Sequence, residues 1–322
     1  MSYAIDRLRG VALTTVVCSL LFTSRAEAAE PAQKTFPTPE DAFAAIVSAA
    51  RAKDTQAMLA ILGPDADDIV SSGDPVEDEA MLARFVESYD EAHEIVPGPD
   101  DTMVLHTGKD RWPLPIPVVD TVDGWRFDTE AGEEELLDRR IGRNELSTIQ
   151  TCLAYVDAQR EYHDRNPQGD PLPAYAQRIA STPGKRDGLY WPTADGEPPS
   201  PLGELFASAR AEGYEKKSDQ PIPYHGYYYR VLTAQGPHAR GGAYDYVVRD
   251  KMIGGFALVA YPADYANSGV MTFVVNHDGT VFQKDLGPDT AKVARAMKSF
   301  DPDTSWTKVN VEQDVPQASR SS

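Results

Sequence analysis

The segment Asn144-Glu-Leu-Ser-Thr-Ile-Gln-Thr-Cys-Leu-Ala-Tyr-Val-Asp-Ala-Gln-Arg-Glu-Tyr162 places apolar side chains every three or four positions. That spacing is typical of an amphipathic helix. The pattern reaches back to Glu133 and continues to His163. It stops before Asn166-Pro167, because the residue that precedes a proline disfavours helical backbone. The sequence therefore predicts one long helix in the middle of the chain.

Short strands follow this helix after a Pro- and Gly-rich excursion over residues 164–240. Apolar and polar residues alternate between Tyr244 and Asp285, and His277-Asp278-Gly279 is a turn sequence typical of a hairpin. The excursion itself predicts short helices near Ala174–Ala180 and Leu202–Glu212, and a strand over Gly226–Leu232. A final helix is predicted over Pro288–Ser299. Helix followed by consecutive hairpins predicts an antiparallel sheet.

The region before the long helix has its own helices and strands. Thr38 and Pro39 are typical of a helix start, and a further helix is predicted over residues 74–93. Strands follow, ending with the aromatic pair Trp125 and Phe127 on one face. We expect a small α+β domain over residues 38–132, a second domain over 133–300 and a polar tail over 301–322.

The N-terminus has the pattern of an export signal. Arg7 and Arg9 precede an apolar run, and small residues surround a cleavage point near Ala28. We expect a signal peptide over residues 1–28, a leader over 29–37, and a mature protein in the periplasm or outside the cell. A lipid-attachment site requires a small residue directly before its cysteine, so Val17 before Cys18 argues against lipid attachment.

The chain is strongly acidic. Its net charge is -19, and removal of three basic and two acidic residues with the signal leaves -20. This charge argues against nucleic acid as a partner, since binding there depends on phosphate neutralisation. No acidic loop has calcium-hand spacing, and we expect no metal or cofactor. The mature chain keeps one cysteine, Cys152, whose helical neighbours predict a packing role.

Several blocks in order resemble the bacterial family called domain of unknown function 2950. They include Tyr155-Val-Asp-Ala-Gln-Arg-Glu-Tyr162, Asp187-Gly-Leu-Tyr-Trp-Pro192, Gly226-Tyr-Tyr-Tyr-Arg230 and Asp278-Gly-Thr-Val-Phe-Gln-Lys-Asp-Leu286. The resemblance covers residues 143–287. It implies an exported envelope protein and no known reaction.

Two looser likenesses concern the fold. The order of helices and strands over residues 36–130, ending in Gly124-Trp-Arg-Phe127, resembles nuclear-transport-factor-2-like domains. The long helix, variable loop and sheet resemble the globular half of type IV pilins and pseudopilins. The predicted fold class is therefore α+β: a small helix-covered sheet domain joined by a long helix to a pilin-like helix plus antiparallel sheet domain.

Aromatic and basic residues cluster around the strand at Gly226 and the glycine-flanked loop after it. Tyrosine rings and guanidinium groups suit a sugar or peptide ligand. The alternative is that alternating tyrosines simply pack both faces of a sheet. The candidate ligand-binding residues are Tyr224, His225, Tyr227, Tyr229, Arg230, His238 and Arg240.

Catalytic motifs are missing from the sequence. It has no Gly-x-Ser-x-Gly elbow and no His-Glu-x-x-His helix. We therefore expect a non-catalytic binding or assembly factor whose contact surface is the aromatic and basic cluster together with the 164–240 excursion. Its expected partner is an envelope protein or a cell-wall glycan or peptide. The alternative is a hydrolase or transferase acting on a cell-wall component, with His225 or His238 as general base.

Overall fold

A computed structural model describes residues 33–63, 66–194, 196–214 and 222–310. The export signal, the prediction about Cys18 and residues 311–322 lie outside these ranges. The helices are α1 Pro39–Ala52, α2 Thr55–Leu62, α3 Asp67–Val70, α4 Pro75–Glu91, α5 Thr129–Arg165, α6 Gly203–Ala211 and α7 Thr290–Ala296.

Helices and strands fall in separate runs along the chain, an α+β arrangement, as predicted. The first five strands are β1 His93–Pro97, β2 Met103–Thr107, β3 Trp112–Pro113, β4 Val118–Thr121 and β5 Gly124–Phe127. The next five are β6 Tyr227–Leu232, β7 Ala234–Gln235, β8 Tyr244–Asp245, β9 Val247–Val248 and β10 Lys251–Met252. The last five are β11 Ala257–Pro262, β12 Met271–Asn276, β13 Val281–Asp285, β14 Ser299–Phe300 and β15 Thr307–Lys308.

Helices α1 to α4 cover the first antiparallel sheet, whose order is β1-β2-β4-β5 with β3 paired to β2. The Thr38 side chain accepts from the Asp41 amide and Pro39 begins α1, which confirms the predicted helix start. Phe43 packs edge-on against Phe127, with 5.5 Å between the ring centroids. These contacts belong to an apolar core formed by residues between Phe36 and Phe127.

Helix α5 has 37 residues and is about 55 Å long at 1.5 Å per residue. It begins four residues before the predicted start. Its first half contacts α3, and its second half packs on β11 and β12. Cys152 is fully buried there, as predicted, and its burial raises the pKa of the thiol to about 12. The long helix thus joins two separate apolar cores.

The second sheet is antiparallel, with the order β15-β13-β12-β11-β6. Strand β11 is buried along its whole length, because α5 and α7 both contact it. Residues 301–309, placed in the polar tail by sequence, supply β15 and the buried Val309. Within the described ranges, no helix combines the length and the apolar character needed to span a membrane.

Three local predictions are wrong. Ala174–Ala180 is not helical, because its backbone bonds elsewhere: Tyr175 donates to Met252 and Ala176 donates to the Gln159 side chain. The final helix ends at Ala296, and the chain extends to form β14, which pairs with β7. His93 begins a strand instead of ending a helix, with its ring stacked 3.8 Å from that of Tyr89.

Candidate functional site

A cluster of polar side chains, all buried except the half-buried His225, lies where the two cores meet and is here called the polar junction. It comprises Asp74, Glu77, Arg140, Asn144, Asn267 and His225. These residues come from α4, α5, the turn before β12 and the turn before β6. Buried charges and amides are costly unless they are hydrogen-bonded. Each contact in the junction therefore bears on how the two halves of the molecule are held.

Arg140 is the central cation of the junction and is 3% exposed. Its guanidinium donates to the carbonyls of Asp68 and Ile69, both at 2.5 Å, and to Oδ1 of Asn267. The two carbonyls end the short helix α3, so the guanidinium caps that helix. Asn267 in turn donates to the Ser71 carbonyl at 2.9 Å. Arg140 thus ties α3 and α5 to the turn before β12.

The carboxylate of Asp74 is fully buried and has four donors. Its Oδ1 caps α4 by accepting from the amides of Val76 and Glu77, at 3.2 and 3.3 Å. Its Oδ2 accepts from the Tyr214 hydroxyl at 2.8 Å and from the Gly226 amide at 2.9 Å. One side chain therefore fixes the start of α4 and two points of the excursion.

His225 stands at the tip of a two-residue turn. Tyr224 and Tyr227 exchange backbone hydrogen bonds at 2.9 and 3.2 Å, and His225 and Gly226 have φ of 49° and 72°. Positive φ at both central residues is the geometry of a type I′ hairpin turn, which explains the glycine. An added Cβ at Gly226 would lie 2.6 Å from Nδ2 of Asn144. The turn therefore holds the imidazole directly against the junction.

Two carboxylates flank the His225 ring. Nδ1 lies 3.9 Å from Oε2 of Glu77, and Nε2 lies 3.6 Å from Oε2 of Glu212. Burial disfavours the charged form of Glu77, but the nearby His225 and Arg84 and the charge of Arg143 outweigh it. Together they lower the pKa of Glu77 to about 2. This carboxylate is consequently an anion over the whole physiological range.

The predicted tyrosines separate into two environments. Tyr227 is fully buried, and its hydroxyl donates to the Met271 carbonyl at 2.9 Å. Tyr229 lies on the same strand face, and its hydroxyl lies 3.3 Å from Oγ1 of Thr148. Tyr224 is half-buried beside His225, with 4.1 Å between ring centroids, and burial and the charge of Glu212 raise its pKa to about 12.

The predicted basic residues also lie apart. Arg230 donates to the carbonyls of Ala294, at 2.6 Å, and Met297, so it binds the end of α7. His238 and Arg240 lie on an exposed loop. Nδ1 of His238 is 3.0 Å from Oδ2 of Asp301, which follows β14. The Asp301 hydrogen bond raises the pKa of His238. The four aromatic residues are therefore neighbours around one turn, whereas Arg230, His238 and Arg240 make their described contacts elsewhere, and ligand binding by the set stays a prediction.

A concave site lies elsewhere in the excursion, between the Tyr190–Thr193 segment, the Pro199–Ser200 segment and α6. We call it the aromatic cleft. Its volume is about 320 Å³. Tyr190 stacks on Phe206 with 4.0 Å between centroids and 2° between planes, and the Arg210 guanidinium lies 5.5 Å from the Tyr190 centroid. The lining residues are Tyr190, Trp191, Pro192, Thr193, Pro199, Ser200, Gly203, Glu204, Ala207 and Arg210.

The family description "Protein of unknown function (DUF2950)" matches residues 33–309. The chain belongs to the DUF2950 family. This confirms the resemblance drawn from the sequence, and the match also spans the N-terminal sheet. No curated protein and no solved structure matches the chain. The likenesses of this DUF2950 protein to pilins and to nuclear-transport-factor-2-like domains therefore stay predictions.

A larger groove of this DUF2950 protein, of about 940 Å³, runs between α1 and α4. An exposed ion pair between Arg51 and Asp90 lies in it, with the nitrogen and oxygen 2.7 Å apart. Arg51 and Asp90 are thus engaged with each other. Among the described residues, no group of three or more His, Cys, Asp or Glu side chains is arranged to hold a metal ion.

Sequence reasoning missed the junction, and it expected a contact surface in the 164–240 excursion without identifying the residues of the cleft. The junction depends on pairs such as Arg140 and Asn267, which lie 127 positions apart. The cleft had a local signal, because Tyr190-Trp191-Pro192 places two large aromatics beside a proline inside an irregular segment. Aromatic residues beside a proline in a long ordered excursion indicate a contact surface more directly than tyrosines in a strand do.

Proposed function

We propose that this DUF2950 protein is an exported, envelope-associated binding protein that holds its partner in the aromatic cleft. The observation that carries the proposal is the cleft itself: a concave site with stacked aromatic side chains and a guanidinium at its rim. Ligand sites are typically concave, with apolar walls and few polar groups. The signal pattern at the N-terminus and the acidity of the chain support an envelope location.

The cleft suits a small polar ligand that has one flat apolar face. Tyr190 contacts the Phe206 ring and the Arg210 guanidinium, both of which come from α6, so little conformational entropy is lost when a ligand packs beside it. Trp191 is braced in the same way by the Arg186 guanidinium, 5.6 Å from its ring centroid. Sugar rings and peptide side chains both fit such a wall. A cell-wall glycan or peptide is therefore the proposed class of partner.

The test is capture of cell-wall material by the mature protein. Purified peptidoglycan fragments are mixed with unmodified protein and with a variant carrying Tyr190→Ala and Arg210→Ala, and retained material is quantified. The matched control carries Tyr244→Ala and Arg139→Ala, which remove the same side-chain types outside the cleft. We expect the cleft variant alone to lose capture. Equal capture by both variants, with thermal unfolding unchanged, would contradict the proposal.

One observation favours a second candidate, an enzyme acting on a cell-wall component. The His225 imidazole lies between two carboxylates and beside the Tyr224 ring, an arrangement that can orient a general base. His238 also has an acid partner, Asp301, but that pair lies on an exposed loop outside the aromatic cleft. Release of soluble fragments from peptidoglycan by the unmodified protein, abolished by His225→Gln, would establish the enzyme instead.

A further inference from the structure

Helix α6 begins inside the aromatic cleft without a side-chain cap. The residue before it is Leu202, which offers no acceptor, and Gly203 and Glu204 line the cleft. The Gly203 amide donates to the Ser200 carbonyl at 2.6 Å. The amides of Glu204 and Leu205 have no acceptor among the described residues. Free amides at the start of a helix, with its positive dipole end, attract a negatively charged group.

A second donor at the same place also lacks a partner. Ser200 is 3% exposed and lines the cleft, and its Oγ is a buried atom without a hydrogen-bond partner in the described structure. A buried hydroxyl is normally satisfied, and leaving one unpaired costs stability. The Oγ lies at the start of α6, 3.3 Å from the position that a Cβ on Gly203 would take, and a hydroxyl can donate one hydrogen bond. An acceptor supplied from outside would satisfy the hydroxyl and the helix amides together.

We infer that the cleft binds the C-terminal carboxylate of a short peptide, with its oxygens on the Ser200 hydroxyl and the amides of Glu204 and Leu205. The terminal side chain of the peptide then packs on Tyr190 and Trp191. The inference rests on the proposed function and specifies its ligand. Capture of a terminal carboxylate by backbone amides is a known mode of peptide recognition.

The charges around the site favour a peptide over a simple anion. Arg210 adds a cation at the rim and Glu204 adds an anion, so the cleft presents both signs. Inorganic phosphate would gain from Arg210 and the helix start, but the Glu204 carboxylate would repel it. A peptide carries a backbone N–H group close to its C-terminal carboxylate, and this donor can face Glu204. The site is therefore complementary to the C-terminal end of a peptide, which presents an anion and a hydrogen-bond donor together.

The experiment compares probes that differ at one group. The mature protein is titrated by calorimetry with trialanine, with trialanine amide and with a trimer of N-acetylglucosamine. We expect the free acid to bind about tenfold or more tightly than the amide, because hydrogen bonds to a charged group are about twice as strong as neutral ones. Ser200→Ala should remove most of that preference. Ser208→Ala, on an exposed position of α6, should leave it unchanged.

A second measurement needs no variant. Addition of trialanine to the unmodified protein should shift the amide resonances of Glu204 and Leu205, and trialanine amide should shift them less. Equal affinity for acid and amide, unmoved resonances, or tighter binding of the sugar trimer would each overturn the carboxylate site. If the carboxylate site is overturned but the variant with Tyr190→Ala and Arg210→Ala still loses peptidoglycan capture, the proposed function stands. If that variant also keeps its capture, the carboxylate site and the proposed function are both wrong.

Discussion

Replacement of Arg140 by Met should disrupt the polar junction and lower the free energy of unfolding by about 3–5 kcal/mol, the range for removing one partner of a buried charged interaction. The guanidinium is 3% exposed and makes three hydrogen bonds, to two carbonyls that end α3 and to Asn267. Met fills a similar volume but donates nothing. Three acceptors would then lose their donor, and each of the two buried ones, the Ile69 carbonyl and Oδ1 of Asn267, costs about 1–3 kcal/mol when left unsatisfied.

Urea unfolding followed by tryptophan fluorescence and by circular dichroism measures this cost. The control is Arg139→Met, the neighbouring residue on α5, whose ion pair with Glu135 is exposed. Such a pair is worth about 0.3–0.5 kcal/mol, so the control should barely move the midpoint. The unmodified protein stability is expected to be about 5–15 kcal/mol, so the loss at Arg140 is a large fraction. A change at Arg140 no larger than the control would refute the role assigned to the junction.

Three further outcomes are expected. The folded-state pKa of Glu77, about 2, lies below its ordinary value of 4.5, so its stabilisation is present above about pH 4.5 and is lost as the pH falls toward 2. When the free energy of unfolding is measured at decreasing pH, its fall should be roughly 2–3 kcal/mol smaller in Glu77→Gln than in the unmodified protein. The exposed control Glu79→Gln should leave that fall unchanged. Tyr227→Phe removes one buried hydrogen bond and should lower the unfolding free energy by about 1 kcal/mol, measured in urea, while cleft binding is unchanged. Gly226→Ala places a methyl group against the junction, in a backbone conformation with positive φ. The loss of unfolding free energy should be roughly 1–3 kcal/mol, which lowers the melting temperature by several degrees. An unchanged melting temperature would contradict the assigned turn.

The elements that sequence reasoning predicted are those whose signals are local. Helix α5 was predicted because one apolar stripe recurs along it, and the strand predicted over Gly226–Leu232 is β6, which begins one residue later. The helix expected over Ala174–Ala180 failed because the partners of its backbone are distant, on β10 and on α5. Propensity describes what a segment prefers alone, and tertiary hydrogen bonds overrule it.

The candidate site shows the same limit more sharply. Adjacent tyrosines in a strand point to opposite faces, so a run of three cannot form one surface. Tyr227 and Tyr229 point toward the core under α5, whereas Tyr228 lies on the other face, 5.7 Å from the Tyr261 ring centroid. This alternation between the two faces could be read from the sequence once the strand was placed. The contacts of His225 with Glu77 were not, since 148 positions separate the two residues.

The junction and the cleft are connected through one segment. Helix α6 lines the cleft and ends at Ala211, and Tyr214, three residues later, donates its hydroxyl to the buried Asp74. The same carboxylate oxygen accepts from the Gly226 amide, so Asp74 fixes two points of the chain that follow α6. A helix of nine residues is marginal alone and takes its position from such tertiary contacts. The polar junction therefore serves the proposed binding site indirectly, by fixing the end of the helix whose beginning presents the free amides.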